Sequence, residues 1–277
     1  MRVLGINILG KFLGNRDNNI RYVALTTLCR ICQTVASSDS SALQRHRSTI
    51  LDCLKDPDIS IRRRALDLSF FLINGQNIRI LTRELLSFLE IAESDVKATV
   101  SSRICDYAGR FRPNRRWEVD TVCRVLRVAG AFVEQEVINH FVKIVTTAPP
   151  ELQTYTVRKL YQLIKTEGDK AHSQEGLIQA AFWSIGEYGD VLVGSTNTSG
   201  LFGGLIGEDS TGSAADPEET QAKISLGELG IAPTERDVVD LIEFILKGPW
   251  ATETVKEYAL TALMKLISRF NNEGVAE

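Results

Sequence analysis

The sequence predicts an all-α fold of stacked helix pairs, and three observations carry that prediction. The first is a helix start at Asp56-Pro57-Asp58. Pro57 biases Asp56 away from helical angles, and Asp58 can cap the next helix by accepting from the N–H of Ser60 or Ile61. Behind it Ile61, Ala65, Leu68 and Leu72 make one apolar stripe at helical spacing. The second observation is recurrence. Asp17 and Arg21 stand 41 positions before Asp58 and Arg62, with Ile20, Ala24, Leu25 and Leu28 behind them. In both copies the acid precedes the base by four residues, the favourable order near a helix N-terminus. The third is punctuation: the 7 prolines fall between periodic segments rather than within them. A helix start returning at about 40 residues marks a right-handed alpha-solenoid of HEAT- or armadillo-like helix pairs, here of about 12 helices.

The elements follow in order. Met1–Leu13 is amphipathic through Val3, Leu4, Ile8, Leu9 and Phe12 and basic through Arg2 and Lys11. It lacks the serine and arginine richness of a transit peptide and reads as the first helix. Gly14-Asn15 stops it. Helix two covers about 18–35, and 37–41 form a polar turn. Helix three covers about 42–54, and the repeated start at Asp58 opens helix four, which ends at Asn74-Gly75. Helix five covers about 77–91. Helix six runs from near Ser94 to Gly109, where Glu93 and Lys97 repeat the acid–base spacing. Pro113-Asn114 breaks the chain again. Helix seven carries Val119, Val122, Cys123, Leu126 and Ala129 and stops at Gly130. Helix eight covers about 135–147, helix nine about 151–165 after Pro149-Pro150, and helix ten about 173–188, ending at Gly189-Asp190. Thr234 with Asp237 three residues on is a capping-box pattern and opens helix eleven. Helix twelve, about 252–270, repeats helix two: Val255-Lys-Glu-Tyr-Ala-Leu-Thr-Ala-Leu263 aligns with Ile20-Arg-Tyr-Val-Ala-Leu-Thr-Thr-Leu28.

Periodicity fails only between 194 and 232. That stretch is rich in Gly, Ser and Thr, carries six acids against one base, and reads as a flexible acidic insertion. Its glycines miss phosphate-loop spacing and have no Lys-Ser/Thr behind them. The expected organisation is therefore helical repeats over 1–193, the insertion over 194–232, a last repeat over 233–270 and a tail over 271–277.

Composition narrows the function. The chain has 277 residues, 44% apolar content, 24% charge and a net charge of −3. Nothing in that balance favours a nucleic-acid binder, and no apolar run approaches the roughly 20 residues that span a bilayer. Five cysteines are scattered at 29, 32, 53, 105 and 123. Cys29 and Cys32 have the C-x-x-C spacing, but no second ligand pair follows and the motif lies deep in a helix. Buried free thiols in a reducing compartment are the expectation. His46, His140 and His172 are far apart and none precedes a Glu. No H-E-x-x-H, G-x-S-x-G or Walker pattern occurs, and carboxylates stand mostly at helix starts, where capping explains them. The expectation is no catalytic site, no metal, no cofactor and no small-molecule substrate.

Two basic clusters remain. One holds Arg45, His46, Arg47, Arg62, Arg63 and Arg64. The other holds Arg103, Arg110, Arg112, Arg115 and Arg116, followed by Trp117. Either can be a solvated ridge with some repeat-to-repeat pairing, or a docking surface for an acidic partner or anionic headgroups. Arg62 sits at an offset where a base recurs in Arg21, Lys97, Arg158 and Lys256, which points to a structural role. Arg63 and Arg64 do not recur. They join Arg45, His46, Arg47, Arg115, Arg116 and Trp117 as the candidate interaction surface.

Several blocks resemble the gamma-adaptin family: Arg2–Leu13, Asn19–Thr26, Gln44–Ile50, Asp52–Asp56, Ser184-Ile-Gly-Glu-Tyr-Gly-Asp190 and Tyr258–Leu266. They run in order over almost the whole chain, and only the acidic stretch departs from the family pattern. The resemblance implies the middle-to-C-terminal part of the trunk of a large clathrin-adaptor subunit, an alpha-solenoid without a catalytic role. It implies beta-type large, medium and small adaptor subunits as partners, with no nucleic acid, and membrane association through the assembled complex. It implies a cytoplasmic protein peripheral on trans-Golgi, endosomal and clathrin-coated vesicle membranes, serving vesicle-mediated protein transport. The alternative left by the residues alone is a solenoid carrier of the transport-receptor or phosphatase-scaffold type. The first helix is apolar at once, without the polar capping repeat that a solenoid needs. The expectation is a trunk segment with an open end that exposes a repeat face.

Overall fold

The structure is a computed structural model, and it describes residues 2–34, 40–167, 174–193, 232–248 and 251–270. Most of the predicted polar turn, His172, the acidic stretch up to 231, Pro249 and the tail lie outside the described residues. The described residues form thirteen α-helices and no strand. They are α1 Arg2–Phe12, α2 Asn18–Thr34, α3 Ser40–Gln44, α4 Arg47–Asp52, α5 Ile59–Phe71, α6 Ile78–Ile91 and α7 Ser94–Phe111. After these come α8 Arg115–Ala129, α9 Gln135–Thr146, α10 Pro150–Glu167, α11 Glu175–Val193, α12 Glu235–Lys247 and α13 Glu253–Arg269. Packing divides the chain into two compact units, Met1–Asn114 and Arg115–Glu277, at the Pro113-Asn114 break. Each is a stack of helices with apolar stripes turned inward.

In the first unit the repeated helix start forms as the sequence implies. The Asp58 carboxylate accepts from the N–H of Ser60 at 2.8 Å and opens α5, burying Ile61, Ala65, Leu68 and Leu72. Arg62 and Arg21 turn to partners other than the acid four residues before them. Arg62 donates from Nη1 to the carbonyls of Asp56 and Pro57, at 2.9 and 3.0 Å, and Arg21 reaches forward to the Asp56 carboxylate.

The predicted third helix is two short ones, followed by a 3-10 turn over Cys53–Lys55. The chain turns at Arg45-His46 because the His46 ring lies against α1 at Gly10, where a Cβ would stand 2.4 Å from it. Gln44 ends α3 by donating to the carbonyl of Leu72 at 2.6 Å, which satisfies an orphan group at the end of α5.

In α1 the expected apolar stripe is not core. Ile6, Gly10 and Leu13 are buried, while Val3, Leu4, Ile8 and Phe12 are exposed. Between α1 and α2 an open apolar groove of about 330 Å³ is lined by Leu9, Phe12, Asn19, Ile20, Val23 and Ala24.

In the second unit α8 ends at Gly130, the one positive-φ glycine among the described residues (φ 62°). Its left-handed backbone is the ordinary glycine stop. α11 runs past its predicted end: Tyr188 leaves helical angles (φ −128°, ψ 28°), and the helix then resumes to Val193. The Thr234–Asp237 capping box opens α12, with the Asp237 carboxylate accepting from the N–H of Thr234 at 2.8 Å. Those hydrogen bonds hold the Asp237 carboxyl below the usual carboxylate range.

The helix that follows α12 packs directly on α11. Thr252 and Thr254 both donate to Oε1 of Glu175 at 2.8 Å, and Lys265 donates to Glu187 at 2.8 Å. Between those contacts the helices approach closely. A Cβ on Gly186 would lie 2.9 Å from the Ala262 Cα, and one on Gly189 would lie 2.2 Å from Leu266 Cδ2. Contacts ascend together along both helices, so α11 and α13 run parallel, as successive second helices of repeat pairs do.

Candidate interaction surface

The arginines singled out from the sequence have unlike surroundings. Arg63 is exposed, but its guanidinium sits 3.3 Å from Glu93 and 2.7 Å from Asp95, at the start of α7. Arg64 pairs with Asp67 at 3.7 Å and lies over the Tyr22 ring of α2, 5.8 Å from its centroid. The hydrogen bond and charge of Arg64 lower the Tyr22 phenol pKa. Both residues therefore join neighbouring repeats, as Arg62 does through Glu93 at 3.5 Å. Arg103 bonds Asp67 at 3.0 Å and lies 4.0 Å above the centroid of Phe70.

In the second unit Arg115 donates to the carbonyl of Thr147 at 2.8 Å. Arg116 stacks on the Tyr155 ring at 4.3 Å, and Trp117 is half-buried. Behind Arg116 is a closed polar cluster. Tyr155 donates to Asp120 at 2.8 Å, and Lys159 pairs with the same carboxylate. Burial and Asp120 raise the Tyr155 pKa. Burial works against the Lys159 charge, yet the carboxylate prevails and its pKa is raised. Each member has a partner, and the cluster ties α8 to α10.

Arg45, His46 and Arg47 occupy the α3–α4 turn. His46 is turned onto α1. Arg45 is exposed and Arg47 half-buried, and neither meets an acidic side chain among the described residues. Of the eight candidates, this pair has guanidinium groups left for another molecule.

The thiols are structural. Four of the five cysteines are buried and Cys32 is half-buried. Burial pushes Cys29 and Cys123 up to about 12, Cys29 with help from the nearby Asp67 carboxylate. Among the described residues no group of three or more His, Cys, Asp or Glu converges on a metal-sized site, and no helix is long and apolar enough to cross a membrane.

Sequence reasoning missed the aromatic seats, Tyr22, Phe70 and Tyr155, and the acids that meet the arginines. A signal existed. Arg21–Asp56, Arg103–Asp67 and Tyr155–Asp120 are separated by 35, 36 and 35 residues. Partners one repeat apart were a better guide than partners one helical turn apart.

These features define a class: an all-α helical-repeat protein whose charged side chains chiefly tie repeat to repeat. The family model described as the adaptin N terminal region matches residues 1–277, and the chain belongs to the adaptin family. It is 41% identical over 275 residues to the AP-1 complex subunit gamma of Dictyostelium discoideum, covering 99% of this chain and 27% of that protein. It is 46% identical over 272 residues to the AP-1 complex subunit gamma-1 of Mycosarcoma maydis, covering 98% of this chain and 27% of that one. The chain thus spans about a quarter of the length of these relatives. Among solved structures, a homology model of the full-length AP-3 complex in an intermediate open conformation aligns with a TM-score of 0.50 at 13% identity, covering 98% of this chain and 49% of the matched one. That likeness supports the solenoid fold alone.

Proposed function

We propose that this chain is a scaffold segment of a clathrin-associated adaptor complex of the AP-1 gamma type, without catalytic activity of its own. The observation that carries the reading is the extent of the match: family and gamma-subunit similarity run over essentially the whole described solenoid. The side chains agree with it. Polar clusters that could have been reactive, such as Asp120–Tyr155–Lys159, are internally satisfied. The partners would be the beta-type large, medium and small adaptor subunits. The chain would reach trans-Golgi and endosomal membranes through them, in vesicle-mediated protein transport. Arg45 and Arg47 are proposed as a polar contact for an acidic surface of such a partner.

Co-expression of the 277-residue chain with those three subunits tests the reading. The expected result is a co-purifying complex, weakened by R45E/R47E with the helical signal intact. Absence of any complex, under conditions where an intact gamma subunit assembles, would overturn it.

A further inference from the structure

An arginine stands three residues before a serine or threonine at two places in the chain, Arg45 before Ser48 and Arg79 before Thr82. The structure separates the two. Thr82 is 4% exposed, in the buried stripe of α6. Ser48 is exposed at the beginning of α4, and a second arginine, Arg47, stands directly before it. Its hydroxyl is also free. Ser69 and Ser184 each donate at 2.7 Å to the carbonyl four residues before, whereas Ser48 meets no partner among the described residues. The segment around it is lightly held. α3 and α4 are 5 and 6 residues long, and His46, the N-cap of α4, makes no side-chain capping bond. Helices this short gain little from their own hydrogen bonds. Local opening that presents Arg45–Ser48 as an extended segment therefore costs less here than inside the longer helices.

We infer that Ser48 is a phosphorylation site for an arginine-directed serine kinase, and that the phosphate switches off the Arg45–Arg47 contact. The two guanidinium groups meet no acidic side chain among the described residues, so they are available to carboxylates of such an enzyme, which reads its substrate by charge pattern. In the transfer the Ser48 Oγ–H bond breaks and an Oγ–P bond forms to the terminal phosphoryl group of ATP. The P–O bond to the departing ADP breaks, and the hydroxyl proton passes to the catalytic aspartate of the kinase. The phosphate brings a charge of about −1.5 to −2 beside the two guanidinium groups. The positive charge of the turn is then cancelled, and an acidic partner surface loses its counterpart. The switch rests on the adaptor role proposed for this pair; the site itself does not.

Treating the full chain with the catalytic subunit of cyclic-AMP-dependent kinase and ATP, and mapping the product by fragment mass spectrometry, tests the site. The expected product carries its phosphate on Ser48, and S48A and R45A each take up at least about tenfold less. A chain left unmodified, a phosphate placed elsewhere, or an R45A chain modified as fast as the wild type overturns the site. Treated and untreated chains are then mixed with the beta-type large, medium and small adaptor subunits. Treatment is expected to weaken assembly of the wild-type chain at least about tenfold and to leave equally treated S48A unaffected, with the helical signal unchanged in both. Full assembly of the phosphorylated chain, or a loss that comes with lost helicity, overturns the switch and leaves the adaptor role standing. Failure of the untreated chain to assemble overturns the adaptor role and the switch with it, while the mapped phosphate still decides the site.

Discussion

Between α2 and α5 polar side chains reach from one helix to the other beside the buried apolar stripes. Arg21 reaches the buried Asp56 carboxylate, Asn18 donates to Asp58 at 3.3 Å, and Arg64 covers Tyr22. Between α11 and α13 the helices come together at two glycines, and the ion pairs stand at the margins. Side chains that reach across a gap tolerate change in the helices beneath them, whereas backbones in contact do not. The difference matches what each contact must do. α5 follows α2 after residues 35–58, which include α3, α4 and the 3-10 turn, whereas residues 194–234 intervene between α11 and α12. Close packing against α11 holds α13 in register.

The largest expected effect follows from that contact. G186V is expected to lose about 3 kcal/mol in denaturant unfolding, the upper range for overpacking, because the obstructing atom is the Ala262 Cα and not a flexible side chain. The comparison sharpens at Gly189, where the obstacle is the tip of Leu266. G189A is expected to be near neutral, since helix propensity returns about 1 kcal/mol as Leu266 changes rotamer. Equal losses at the two glycines would remove the distinction between backbone and side-chain contact.

The polar fastening is expected to respond less. R21A leaves the Asp56 carboxylate buried with the N–H of Asp58 still donating to it, and about 2 kcal/mol should be lost. R63A removes exposed pairs and should change stability by no more than about 0.5 kcal/mol. A larger loss at Arg63 than at Arg21 would reverse the ranking of buried over exposed charge.

Thiol chemistry checks the packing of both units. With pKa values of about 12, Cys29 and Cys123 hold a thiolate fraction of only about 1 in 10,000 at pH 8. Native alkylation of either should be far slower than in denaturant. Fast native labelling at Cys123 would show that α8 opens.

Much of the fold was legible because helix stripes and caps are local. Asp58, Thr234 and Gly130 act where the sequence puts them. What was not legible depended on contacts a repeat away. The break at Arg45-His46 needs Gly10 on another helix, and the role of Gly186 needs Ala262. Arg63 and Arg64 looked free because no base recurs at their offset, yet their acidic and aromatic partners lie on adjoining helices. The apolar residues of α1 could be read as a stripe, but not which side of it a neighbour covers. The smallest expected effect concerns the stretch that broke the pattern. Deleting 197–230 should leave the melting temperature nearly unchanged, because a long polar segment contributes little burial and loop closure varies slowly with length.

Native-state hydrogen exchange of the wild-type chain and G186V tests most directly whether α13 is one cooperative stack with α11. The account predicts that α11 and α13 amides share one protection free energy in the wild type and lose it together in G186V. Independent exchange of α13 in the wild type, or a G186V variant in which α11 keeps its protection, would contradict it.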